Sequence, residues 1–238
     1  MVSLCCHWNA ALSLFQHSLR HSDIQCAVHS AARHSHSPRK SHGQAVKRII
    51  RYLMGTSQRG IEFIPDLTQG LDCCVDADYV GMWGYEDEQD PVSVKSRTGF
   101  VLKLFNCPII WQSKLQQEIT LSSTAAECVA FSMAMRELVP MRRLLLEIGS
   151  KLNIPTISTS LVRSTVFEDN QACISLVNVP KMSPRNKYLA LKYHWFRSHI
   201  GKDIVAKYIS TTCQEADIFT KGLPPAQFQV ICKLLMGW

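Results

Sequence analysis

The chain has no apolar run approaching the roughly 18 residues that a membrane-spanning helix needs. Its opening, Met-Val-Ser-Leu-Cys-Cys-His, lacks the charged start and long apolar core of a secretion signal. Cysteine is plentiful at ten residues, yet the Cys-x-x-Cys spacing of a zinc site never occurs, and Cys5-Cys6 and Cys73-Cys74 are adjacent. The cysteines therefore read as small buried hydrophobes in a reducing compartment. A soluble intracellular protein, cytoplasmic or nuclear and without a membrane, is the expectation. Charge is also scarce, at 19% of residues against 46% apolar, which excludes a disordered chain and allows a sizeable core.

The charge present is mostly positive. A formal +7 over 238 residues points to a polyanionic partner such as nucleic acid. Residues 1–66 hold eight Lys or Arg against three acids, and seven of the nine histidines precede residue 43. His34-x-His36 has no carboxylate or thiolate at ligand spacing and reads as surface histidine. Residues 1–22 show no convincing period and stay unassigned. From Ser41, Ala45, Ile49, Ile50 and Leu53 recur at helical spacing, with Lys47, Arg48 and Arg51 on the other face and Gly55 or Gly60 as the stop. Such a basic face is either solvated or tracks a phosphate backbone.

The organising stretch is Leu71 to Tyr79. Strand residues alternate between faces, so Leu71, Cys73, Val75 and Ala77 line one side and Asp76 and Asp78 the other. Asp is depleted in strands, and a buried carboxylate is costly unless paired or bound to a metal. Two acids at this strand's end suggest either a cation site or an exit into a solvated turn. After an acidic, turn-rich segment from Gly81 to Val94, strands are predicted at Thr98–Phe105 and Ile109–Lys114, joined through Asn106-Cys107-Pro108. Ser122-Ser123-Thr124 opens a long helix interrupted by Pro140. Its Glu127 either closes a Thr124-x-x-Glu127 capping box or, from the row of Ala130, Phe131, Ala134 and Leu138, points at the strands. The run Ser164 to Glu168 predicts a fourth strand ending at Asp169, which is a helix N-cap or a site residue at a strand's carboxyl end. A helix is expected over Lys187–Gly201 and a fifth strand over Asp203–Ile209. Thr212-x-x-Glu215 would cap a final helix carrying Asp217 in its first turn, where a carboxylate is favourable by itself.

Each acid alone has an ordinary structural explanation; their order along the chain does not. His42-x-x-Ala45-x-Lys47-Arg48-Ile49-x-Arg51-Tyr52-Leu53-x-Gly55-Thr56 resembles the segment that joins reverse transcriptase to ribonuclease H in copia-type LTR retrotransposon Pol polyproteins. Six further runs are similar to the ribonuclease H of that family: Asp76-Ala77-Asp78-Tyr79-x-Gly81, Ser96-x-Thr98-Gly99-Phe100-Val101, Ile110-Trp111-x-Ser113-Lys114-x-Gln116, Leu121-Ser122-Ser123-Thr124-x-Ala126-Glu127, Asp169-Asn170-Gln171-x-x-Ile174 and Ala216-Asp217-Ile218-x-Thr220-Lys221-x-Leu223-Pro224. The resemblance implies an α/β, ribonuclease H-like fold: a five-stranded mixed sheet flanked by helices, strands one to three antiparallel and strands four and five parallel to strand one. It implies a ribonuclease H-like domain over residues 67–238 preceded by a helical reverse-transcriptase remnant over 23–66. No Tyr-x-Asp-Asp tetrad occurs, so polymerase chemistry is not expected.

The same resemblance implies a metal-dependent endonuclease cutting the RNA strand of RNA–DNA hybrids. Asp76, Glu127, Asp169 and Asp217 would be its catalytic residues and would hold two Mg²⁺ ions, with Mn²⁺ a substitute: Asp76 bridging both ions, Glu127 and Asp169 on one, Asp217 on the other. Asn170 and Gln171 would reach sugar edges, and Arg185 and Lys187 phosphate. The chain departs from the family pattern at Lys187-Tyr188-Leu189-Ala190-Leu191, at the acid Glu168 before Asp169, at Ala125, and in lacking a His in Ser210-Thr211-Thr212-Cys213. The alternative reading is accordingly a catalytically inactive nucleic-acid-binding remnant of the same fold.

Overall fold

Alternation along the central strand divides the molecule into two layers. In β1 (Leu71–Asp78), Leu71, Cys73, Val75 and Ala77 enter one apolar core while Cys74 enters a second on the opposite face. The computed structural model describes residues 21–81, 90, 92–154, 163–178 and 195–238. β2 (Arg97–Leu104) runs antiparallel to β1, and β3 (Cys107–Leu115) antiparallel to β2. β4 (Ser164–Glu168) lies parallel to β1 on its other side, and β5 (Ile204–Tyr208) parallel to β4, giving the order β3-β2-β1-β4-β5. This is the five-stranded mixed sheet, flanked by helices, that the sequence implies.

The β2–β3 turn differs from expectation. Leu104 pairs with Cys107, so the loop is Phe105-Asn106, both with positive φ, at 52° and 65°. Two such residues twist in the sense of the flanking strands, which keeps the hairpin tight.

On the first face lies α3 (Ser123–Lys151), which continues through Pro140 although proline has no N–H to offer residue 136. Ala126, Ala130, Phe131, Ala134 and Leu138 are buried in the first core, as the helical row predicts. The helix is capped by Ser122, whose side chain accepts the Ala125 N–H at 3.1 Å, and not by a Thr124 box. Glu127 is thereby released from a capping role. α4 (Gln171–Asn178) joins the same face, where Cys128 and Cys173 bring their sulfurs to 3.4 Å. Most of the helix expected over Lys187–Gly201 lies outside the described residues; residues 195–197 are helical, and Phe196 is buried against Phe131 with ring centroids 5.4 Å apart.

The second face carries α5 (Asp217–Thr220) and α6 (Pro225–Met236), the latter with Pro at its first position, where a missing N–H costs nothing. The expected Thr212-x-x-Glu215 box does not form. Residues 211–213 make a single 3₁₀ turn, and Glu215 is buried, 2.6 Å from the Lys103 ammonium. Ahead of the sheet, α1 (Gln25–Ala32) and α2 (Lys40–Gly55) share a small core of Ile24, Val28, Val46 and Ile49. Val46 is the buried residue there and Ala45 is exposed, one position off the sequence expectation. This pair rests on the second face: α1 meets β3 and α5, and Tyr52 packs edge-on to Phe228 at 6.0 Å while its hydroxyl donates to Asp23.

Candidate metal centre

β1 is longer than its parallel neighbour. The β1–β4 register runs from Leu71↔Ser164 to Cys74↔Phe167, and β4 ends one residue later, at Glu168. Beyond Cys74 the edge of β1 facing β4 therefore has no strand to pair with. Side chains fill the gap: Gln214 donates Nε2–H to the Val75 carbonyl at 2.8 Å, and the Glu127 carboxylate accepts the Ala77 N–H. Glu127 comes from the α3 face and Asp76 belongs to the α5 face, and this notch is where the two meet.

One carboxylate oxygen from each of Asp76, Glu127 and Asp169 lies within 4.8 Å of the other two. Asp76 is 2% exposed and Glu127 6%, while Asp169 is half-buried. Asp76 accepts a hydrogen bond from the Thr220 hydroxyl, and Asp169 one from Thr211 at 2.8 Å. Glu127 Oε2 is buried with no hydrogen-bond partner. Asp217 is fully buried but stands outside this trio. Lys221 connects it: the ammonium is 2.8 Å from Asp217 Oδ1 and 3.8 Å from Asp76 Oδ2. Gln227 donates to the other Asp217 oxygen at 3.3 Å.

Crowding shows in the proton affinities. Burial, then the charges of Glu168, Asp76 and Asp169, push the Glu127 carboxyl up to about 11. Burial and the Asp76 charge push Asp217 up to about 7 against the pull of Lys221. Asp76 is also raised, burial outweighing the favourable Lys221 charge and Thr220 hydroxyl. Burial by itself lowers the proton affinity of Lys221, but the Asp76 and Asp217 charges more than reverse this. A site of this kind is incomplete without a cation. Its donors are hard carboxylate oxygens, one of them an orphaned buried oxygen, and they suit Mg²⁺ or Mn²⁺, so Asp76, Glu127 and Asp169 fit a divalent ion.

The remaining expected residues fall differently. Asn170 Oδ1 accepts the Cys173 N–H at 3.0 Å, so Asn170 and not Asp169 caps α4. Asp169 is thus free to face the trio, while the Asn170 acceptor is already engaged. Gln171 is exposed at the start of α4. Arg185 and Lys187 lie outside the described residues. Sequence reasoning assigned no role to Thr220 and Lys221, although both stand in the Asp217 motif, and i to i+4 spacing was the available signal. Glu168 is a departure from the family pattern with no expected role. Glu168 is fully buried, with Oε1 accepting the Asn170 N–H at 3.0 Å and Oε2 unpartnered, and burial holds its carboxyl well above the usual range.

No protein-family model matches the chain. It is 33% identical over 208 residues to the retrovirus-related Pol polyprotein from transposon RE1 of Arabidopsis thaliana, covering 87% of this chain and 13% of that protein. It is 32% identical over 220 residues to the corresponding polyprotein of transposon TNT 1-94 of Nicotiana tabacum, covering 90% and 15%. The chain thus spans about one seventh of the length of these curated relatives. Among solved structures, an RNase H1 isolated from compost by a metagenomic approach aligns with a TM-score of 0.42 and 15% identity, over 64% of this chain and 93% of that one. The chain is thus similar to a segment of retrotransposon Pol polyproteins, and its five-stranded mixed sheet flanked by helices is consistent with a ribonuclease H-like α/β fold. Its acidic trio is compatible with the metal-binding site of such a domain.

Proposed function

We propose that this chain is a metal-dependent endonuclease hydrolysing the RNA strand of RNA–DNA hybrids, from a copia-type Pol polyprotein. Residues 67–238 would be the catalytic unit and residues 23–66 the tail of the reverse transcriptase. The observation that carries the reading is the convergence of Asp76, Glu127 and Asp169 at strand ends, from opposite faces of one sheet. A divalent ion bound there would polarise the phosphodiester and make water a usable nucleophile near neutral pH. The chain's own residues do the rest. Asp76, buried, and Asp169, half-buried, each present an oxygen to the trio, and the Ala77 N–H holds the Glu127 carboxylate. Thr220 and Thr211 fix two of the carboxylates by donating hydroxyl protons to them. A second ion, in the two-ion scheme, would fall between Asp76 and Asp217. The 2′-hydroxyl and the shape of the hybrid groove would select RNA paired with DNA.

The test is cleavage of an end-labelled RNA–DNA hybrid in Mg²⁺ or Mn²⁺, with Asp76→Asn as the control that folds and does not cut. The inactive-remnant reading draws on Glu168, a further buried acid crowding Glu127. Hybrid binding by wild type with no cleavage in either metal would establish it.

A further inference from the structure

We propose that the Lys221 ammonium takes the place of a second divalent ion, so that the centre holds one exchangeable metal and one built-in cation. The inference rests on the metal-dependent reading above and concerns the half of the site that contains Asp217. A second ion bridging Asp76 and Asp217 would need an oxygen from each. Those two oxygens, Asp76 Oδ2 and Asp217 Oδ1, are the ones that face Lys221, at 3.8 and 2.8 Å. The Thr220 hydroxyl already binds Asp76 Oδ2, and Gln227 binds the remaining Asp217 oxygen. Asp217 Oδ2 is thereby taken by a chain donor, while the buried Asp217 Oδ1 has no hydrogen-bond partner and faces the Lys221 charge. Asp76 also contributes an oxygen to the trio with Glu127 and Asp169, which would hold one ion.

The lysine is held in this position by the backbone. α5 is a single turn, and the Lys221 N–H bonds to the Asp217 carbonyl at 3.1 Å, so residues 217 and 221 stand one above the other. Gly99, opposite Asp76 in the ladder, lets this turn lie against β2: a Cβ there would come within 2.7 Å of Phe219 Cβ and Thr220 Cγ2. The Lys221 side chain is only 38% exposed, and Asp217 has 1% of its side-chain surface in water. The carboxylates it faces are 3% and 1% exposed and weakly screened, so the ammonium competes for them with a dication.

Counting bound Mn²⁺ per chain by isothermal titration calorimetry and electron paramagnetic resonance tests this without any catalytic readout. Wild type is expected to bind one Mn²⁺ at millimolar concentration. Lys221→Met, which keeps the stem and removes the charge, is expected to bind two, the second at least about tenfold more tightly than any second event in wild type. Lys221→Arg is expected to bind one. Two ions in wild type, with neither number nor affinity changed in Lys221→Met, would overturn the inference and leave the metal-dependent reading intact. No ion in wild type would overturn both. Should Lys221→Met not fold, the wild-type count alone decides, one ion supporting the proposal and two refuting it.

Discussion

Gly99 stands directly across the β1–β2 ladder from Asp76, and its missing side chain is the space into which Phe219 and Thr220 pack. A strand glycine ordinarily weakens a sheet; here it permits a close approach that delivers Thr220, Asp217 and Lys221 to Asp76. Gly99→Ala should therefore lose about 1–3 kcal/mol of stability by overpacking. Urea unfolding measures that loss, and Mn²⁺ affinity at the trio should fall with it because the turn whose Thr220 hydroxyl orients Asp76 is displaced.

Glu127 provides a test that separates folding from metal binding. With its proton affinity raised to about 11, it is already neutral at pH 7 in the metal-free protein. Glu127→Gln should then raise metal-free stability at pH 7, because the unfolded chain no longer carries a carboxylate that must take up a proton on folding. The same variant should lose most of the Mn²⁺-induced rise in Tm, and hybrid cleavage should drop at least about 100-fold, since even partners outside the ligand set cost 10–100-fold. Differential scanning fluorimetry with and without metal gives both stability values.

The pH dependence has a definite sign. A carboxyl whose proton affinity is raised by folding keeps its proton over a range in which the unfolded chain has released it. For Asp217 that range runs from about 4, its ordinary value, to about 7, and Glu127 extends it upward. Across this interval the native state binds more protons than the unfolded state, so stability of the metal-free protein falls as pH rises. Bound Mn²⁺ competes with those protons, and its stabilising effect should grow between about pH 5.5 and pH 8. Thermal melts at the two pH values, with metal and with chelator, check both statements.

Lys103 and Glu215 form a buried ion pair of 2.6 Å that fixes the segment leading to Asp217. Lys103 also donates to Asn106 in the β2–β3 turn, at 3.2 Å. Removing one partner leaves a buried charge unpaired, so Lys103→Met alone should cost about 3–5 kcal/mol. Lys103→Met combined with Glu215→Leu should recover a large part of that loss. A double-mutant cycle in urea measures the coupling.

Much of this was legible from the sequence. The alternation of Leu71, Cys73, Val75 and Ala77 marks the central strand and its faces, and the resemblance to the ribonuclease H of Pol polyproteins implies the sheet. Asp76, Glu127 and Asp169 come together and Asp217 stands outside the trio. The sequence leaves capping open: Ser122 and Asn170 hold the helix starts for which Thr124 and Asp169 are chemically as well suited. Neighbouring Ser, Thr, Asn and Asp are chemically near-equivalent caps, and only backbone geometry chooses among them. The Lys103–Glu215 pair joins residues 112 apart in sequence and has no local signature. The role of Lys221 was hidden for another reason, since a lysine one turn after an aspartate reads as an ordinary surface helix pair.

The brevity of β4 has one further consequence. Two more paired residues would occupy the Val75 carbonyl and the Ala77 N–H, now served by Gln214 and Glu127. The sheet would then become a continuous wall, stranding Asp76 on one side and Glu127 on the other. Insertions that lengthen this strand should silence the centre while leaving every acid in place, so a relative's competence can be judged from a strand length before its carboxylates are counted.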